Sequence, residues 1–135
     1  MLKRILDTIP IPLGDFFGME VSSEEKVFYS ENELVEIGSG PISYRQVGGD
    51  SRERPLQMLY ETYQPGADTG HSPLTHEGEE TGIVIAGLLE VTVGDQVRVL
   101  REGEAYQFNS RIPHRFRNTS KKPCILVTAC TPPSF

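Results

Sequence analysis

The chain has 135 residues, 13 basic and 19 acidic, for a formal net charge of −6. That length holds one domain rather than two. An acidic balance is a poor electrostatic match for nucleic acid, so this chain is not expected to bind DNA or RNA alone. The basic cluster Arg111, Arg115, Arg117, Lys121 and Lys122 reads as a solvated strand edge rather than a phosphate site. No apolar run approaches the roughly 20 residues of a membrane span.

In chain order, the first expected element is a short amphipathic helix. Leu2, Ile5, Leu6 and Ile9 recur at helical spacing, and Pro10 and Pro12 end it. Its charged start lacks an uninterrupted apolar stretch and a small-residue cleavage site, so it is not read as a signal peptide. A helix this short is marginal alone and must dock on something. "PLGDFFGME" and the acidic "VSSEEK" follow, so residues 1–24 divide as helix and linker from a β domain over 25–135.

The rest is rich in Val, Ile, Tyr and Phe and broken at short intervals by Gly, Pro, Asn and Asp. Expected strands are "KVFYS", "ISYRQV", "LQMLYETYQ", "TGIVIA", "LLEVTV", "QVRVL", "AYQFN", "HRFRN" and "CILVTA". Tight reversals are expected at Ala86-Gly87 and at Gly94-Asp95, where positive φ is easily adopted. Many short strands with almost no helix imply an all-β sandwich or barrel, with a jelly roll the preferred form. Cys124 and Cys130 share the last strand, and six residues of strand set them about 20 Å apart, beyond disulfide reach. A reducing, cytoplasmic setting is expected.

Two segments carry the candidate chemistry. The first holds His76, Glu80 and Gly87; the second, "GEAYQFNSRIPHRFRN", holds Gly103, His114 and Asn118. Taken singly, a histidine before a strand is an ordinary loop residue, and a glutamate there caps a turn or pairs with an arginine. Taken together, the spacing resembles the cupin family, whose signatures are G-x(5)-H-x-H-x(3,4)-E-x(6)-G and G-x(5)-P-x-G-x(2)-H-x(3)-N. His76, Glu80, Gly87, Gly103, His114 and Asn118 fall on matching positions. Leu74 stands in place of the first histidine and Asp68 in place of the opening glycine, while Asn109 and Arg111 replace the usual proline and glycine.

The resemblance implies a cupin jelly-roll β-barrel with the four-ligand metal set reduced to His76, Glu80 and His114. Strand alternation agrees with it. If Glu80 points inward, so do Gly82, Val84 and Ala86, small residues that leave room for a ligand. In "HRFRN", His114, Phe116 and Asn118 share one face and Arg115 and Arg117 the other. Two imidazoles and one carboxylate form a facial set with open positions, suited to Fe, Mn, Ni, Co or Zn. His71 and Leu74 at the rim, with Tyr106 and Phe116, are the expected pocket lining. The pocket would suit a small carboxylic acid, amine or amino acid equally.

"THEGEETGIVIAGLLEVTVGD", "IPHRFRNTSKKPC" and "TPPSF" are similar to the C-terminal cupin domain of XRE-type helix-turn-helix transcriptional regulators. There a DNA-binding domain precedes the barrel, which senses an effector and dimerises. "LKRILDTIPIPLGDFF" is similar to the last helix and exit of that domain. The recognition helix has no counterpart in this sequence, so the chain is expected to be part of such a regulator or a stand-alone relative. The triad also looks like the iron site of hydroxypropylphosphonate epoxidase, which implies a second reading: a small metal-dependent oxygenase, epoxidase or isomerase. Finally, Thr81, Ile83 and Ile85 occupy the outer face of "TGIVIA", and an apolar outer face needs cover. A homodimer is the expected answer.

Overall fold

The computed structural model describes residues 26–49, 54–70 and 75–134. The expected N-terminal helix and most of the linker lie outside the described residues. The described chain contains β1 (Val35–Glu36), β2 (Ile42–Gln46), β3 (Gln57–Tyr63), β4 (Glu79–Ala86) and β5 (Leu89–Val93), then β6 (Gln96–Leu100), β7 (Ala105–Asn109), β8 (His114–Arg117) and β9 (Cys124–Thr131). They form a six-stranded sheet in the order β1-β2-β3-β9-β4-β7 and a three-stranded sheet in the order β6-β5-β8. Every strand pair is antiparallel. Residues 67–69 run beside β8, with Thr69 N donating to Phe116 O and Asn118 N to Ala67 O, and thicken the smaller sheet.

Alternation decides what is buried. In β3, Gln57, Leu59, Glu61 and Tyr63 face inward; in β9, Cys124, Leu126, Thr128 and Cys130 do. Of these, Tyr63, Cys124 and Leu126 join Leu89, Val91, Phe116 and Leu100 of the smaller sheet in one apolar core. The two cysteines are free and buried, as their spacing along one strand requires. Asn118 is a structural keystone rather than a site residue. Its Nδ2 donates to Tyr63 O and Lys122 O, and its Oδ1 accepts from Ser120 N, closing the turn into β9.

Two expectations about the elements need correction. "KVFYS" is not a strand: Val27 and Phe28 are 67% and 85% exposed, and the segment leads into a single 3₁₀ turn, Glu31–Glu33. The reason is local, since Ser30 and Glu33 form a capping box in which Ser30 N donates to Glu33 Oε1 at 2.8 Å. The first strand is instead Val35–Glu36, two exposed residues with no alternation to betray them. The reversal at Gly94 is a hairpin, with Val93 opposite Gln96. The one at Gly87 is not, because β4 and β5 belong to different sheets. Gly87, at φ +86°, packs on the backbone of Pro123 and Cys124 and turns the chain from one sheet to the other.

Candidate functional site

Three separate elements bring His76, Glu80 and His114 together. Glu80 stands on β4 of the larger sheet and His114 begins β8 of the smaller one, so each reaches across the gap between the sheets. His76 comes from the loop before β4, fixed by two backbone bonds: His76 N donates to Ser110 O and Ser110 N to Gly78 O. The Nε2 atoms of His76 and His114 lie 3.4 and 3.5 Å from Glu80 Oε1, and one donor atom from each residue falls within 4.8 Å of the others. The two imidazoles meet edge to face, with ring centroids 5.2 Å apart.

The donor set fits a metal ion. His114 is fully buried, and its Nδ1 lies 2.8 Å from the carbonyl of Ile112. A carbonyl only accepts, so Nδ1 carries the proton and Nε2 presents a lone pair. That Nε2 is buried with no hydrogen-bond partner, an arrangement that costs stability unless something occupies the position it faces. An outer-shell carbonyl that sets the tautomer of a histidine is the usual support of a metal ligand. Burial raises the pKa of Glu80, while the charges of His114 and His76 act to lower it.

These residues line a cavity of about 280 Å³ between the sheets. Phe116 is part of its wall. Tyr106 is not in its wall: it packs against both Phe108 and Phe116, with ring centroids 5.4 and 5.3 Å away, and reaches Glu80 Oε2 with its hydroxyl at 3.4 Å. The room expected above Gly82 is taken by this ring, since a Cβ on Gly82 would lie 2.7 Å from it. His71 and Leu74 lie outside the described residues. The basic cluster is largely paired: Arg115 with Asp68 at 2.6 Å, Arg117 with Glu90, and Arg111 with Glu77 at 3.4 Å. Asp68 is held at about 2 by its hydrogen bonds from Arg115.

Sequence reasoning missed the second carboxyl of this cavity. Glu61 is 6% exposed and faces the interior from the middle of β3. Thr128 Oγ1 donates to its Oε2 at 2.6 Å. Loss of hydration pushes its pKa up to about 8, with the Glu80 charge adding to the rise. The signal was present in "LQMLYETYQ", where a carboxyl occupies the inward phase between Leu59 and Tyr63. Tyr44 and Tyr63 also line the cavity, and both pKa values are raised by burial first and by Glu61 next.

Residues 59–130 match the cupin domain family Cupin_2. The chain is 37% identical to the HTH-type transcriptional regulator PuuR of Escherichia coli (strain K12), an alignment covering 99% of this chain and 72% of that protein. It is 28% identical to H2HPP isomerase of Bacillus subtilis over 104 residues, 76% of this chain and 41% of that protein. Among solved structures, the Cupin_2 domain of an XRE family transcriptional regulator from Enterobacter cloacae aligns with a TM-score of 0.61 at 22% identity. That alignment covers 70% of this chain and 100% of that one, and it carries the fold alone.

Proposed function

The chain belongs to the cupin domain family, and from that premise we propose that it is a small-molecule-binding, dimer-forming module. On this reading it is the sensing part of an XRE-type transcriptional regulator or a stand-alone relative of one. The barrel unit begins near residue 25, and residues 1–24 are its lead-in. Kinship with a helix-turn-helix regulator along almost the whole chain supports this reading. So does a cavity between the sheets that is lined by two histidines and two carboxyls.

His76, Glu80 and His114 would hold a divalent ion, Fe, Mn, Ni, Co or Zn, in that cavity. The observation that carries this is the orphaned Nε2 of His114, aimed at Glu80. Such an ion would act as a Lewis acid toward an oxygen or nitrogen of the ligand. The protein's own residues do the rest. Ile112 O holds the imidazole proton on the far nitrogen, Tyr106 OH donates to Glu80, and Phe108 and Phe116 keep water from His114.

A second reading, a small metal-dependent oxygenase, epoxidase or isomerase, is favoured by one observation. Glu61 is a carboxyl whose pKa of about 8 suits proton transfer near neutral pH, and it shares the cavity with the triad. The two readings share a metal and differ in turnover. Protein purified without chelators should carry close to one transition ion per chain, measured by elemental analysis. His114→Ala should weaken that ion beyond the roughly 10–100-fold typical of losing an outer-shell partner. Equal metal content in wild type and variant overturns the triad. Oxygen uptake or substrate isomerisation by the loaded protein would favour the enzyme over the sensor.

A further inference from the structure

We propose that residues 131–134, where the chain leaves β9, form a strap that positions the His76 loop of the triad and covers Cys130. Releasing the strap then weakens metal binding and opens the thiol to solvent. The positioning half rests on the reading of the triad as a metal site, and the covering half does not.

Of the three ligands, Glu80 and His114 stand on strands, and His76 comes from a loop. Its side chain is 26% exposed, against 0% for His114, so it is the less confined imidazole. Whatever fixes that loop therefore fixes the third donor. On one side the loop is tied to Ser110 by two backbone bonds. On the other it lies against the strap: a Cβ on Gly78 would come within 1.8 Å of Thr131 O and 2.7 Å of Pro132 Cδ. Gly78 lies midway between His76 and Glu80 in the chain, so a side chain there would force loop and strap apart.

The strap has an anchor of its own. Pro132 and Pro133 carry no N–H, so the first backbone donor beyond Thr131 is Ser134 N, which donates to Gln57 Oε1 at 3.1 Å. Gln57 is 1% exposed at the start of β3, an inward position where an amide costs stability unless its polar atoms are paired. Its Nε2 donates to Gln46 Oε1 at 2.6 Å, and Gln46 Nε2 donates in turn to Gly48 O at 3.3 Å. A buried polar chain of this kind holds its members in place only while it stays satisfied, and Ser134 N is one end of it. Register seats Cys130 between Gln57 and Glu80 on the inner face. Its Sγ donates to Gln57 Oε1 at 3.4 Å and lies 3.7 Å from Ser134 Oγ, and both residues belong to the cavity wall. One short segment thus touches the His76 loop at Thr131 and Pro132 and roofs the thiol at Ser134.

The test uses Ser134→Pro, which deletes the anchoring N–H, with Ser134→Ala, which keeps it, as the control. Metal-free protein is labelled with a maleimide, and Cys130 and Cys124 are followed separately by peptide mass spectrometry. Cys124, fully buried at the far end of β9, is the internal reference. Co(II) affinity is measured by competition with a chelator. Ser134→Pro should label at Cys130 about five- to tenfold faster, the shift that one lost hydrogen bond produces, with Cys124 unchanged. It should bind Co(II) about tenfold more weakly, as for loss of an outer-shell support. Ser134→Ala should stay close to wild type in both. Gln57→Met removes the acceptor at similar volume, should act in the same direction, and decides the matter if Ser134→Pro does not fold. Unchanged labelling of Cys130 overturns the strap, as does a rise shared equally by Cys124, which marks general loosening. Faster labelling with unchanged Co(II) affinity overturns the positioning of His76. A wild type that binds no Co(II) sinks the triad and the positioning with it, while the labelling of Cys130 still decides whether the strap covers the thiol.

Discussion

A carboxyl that folding carries out of water keeps its proton longer than the same carboxyl in the unfolded chain. For Glu61 the two states differ from an ordinary 4.5 to about 8. Between those values the folded protein holds a proton that the unfolded one has released, so stability falls as pH rises through the window. The contribution is fully present below about 4.5 and gone above about 8. Glu61→Gln should therefore match wild type near pH 4.5 and exceed it at pH 8.5, by on the order of 2–4 kcal/mol. Urea denaturation across that range reads the difference. Parallel pH profiles for the two proteins would mean that Glu61 is not the buried acid described above. Asp68 works in the opposite direction, with a pKa of about 2 that withdraws stability only in strong acid. The two residues therefore do not obscure one another.

At the scale of elements, the site depends on how the chain passes between sheets. Glu80 and His114 can meet only because β4 and β5 are joined by a switch at Gly87 rather than by a hairpin. A Cβ there would lie 2.5 Å from Pro123 O and 2.9 Å from Cys124 Cα, on a backbone at φ +86° that L side chains rarely adopt. Neither contact is a flexible side-chain end, so Gly87→Ala should destabilise the barrel by roughly 1–3 kcal/mol. Chemical denaturation measures that, and a change within error of zero would show that the switch has slack. The inward phases of "TGIVIA" and "HRFRN" were legible because alternation has a period of two and each run carries a polar group at a fixed phase. The Gly87 switch was not, since a positive-φ glycine between two apolar runs looks the same at a hairpin and at a crossing. Nor was the filling of the space over Gly82, because Tyr106 arrives from β7, opposite Gly82 in the register and far from it in sequence. Glu61 was legible but masked by the length of the apolar run around it.

For the molecule as a whole, the outer face of the six-stranded sheet is too apolar to be left to water. Ile83 and Ile85 are 42% and 43% exposed, and Met58 is 43% exposed. Register places Tyr60, Val127 and Ile83 side by side across β3, β9 and β4, with Ala105 next on β7. This is a continuous apolar row rather than scattered single residues, and such patches mark interfaces. A six-stranded face is wide enough for the roughly 1,200–2,000 Å² that a stable pair buries. A second copy is the economical cover, because a two-fold axis through the face lets the same row meet itself. The outer side chains alternate with the inward Glu80, Gly82 and Val84 of the same strand, so pairing would stiffen the wall that carries one ligand of the triad. Sedimentation at micromolar concentration should give a dimer, and the double variant Ile83→Glu, Ile85→Glu should give a folded monomer that keeps the cavity. Like charges brought together across a two-fold axis cost far more than they do on an exposed monomer surface. A wild-type monomer, or a double variant that remains dimeric, would place the interface elsewhere.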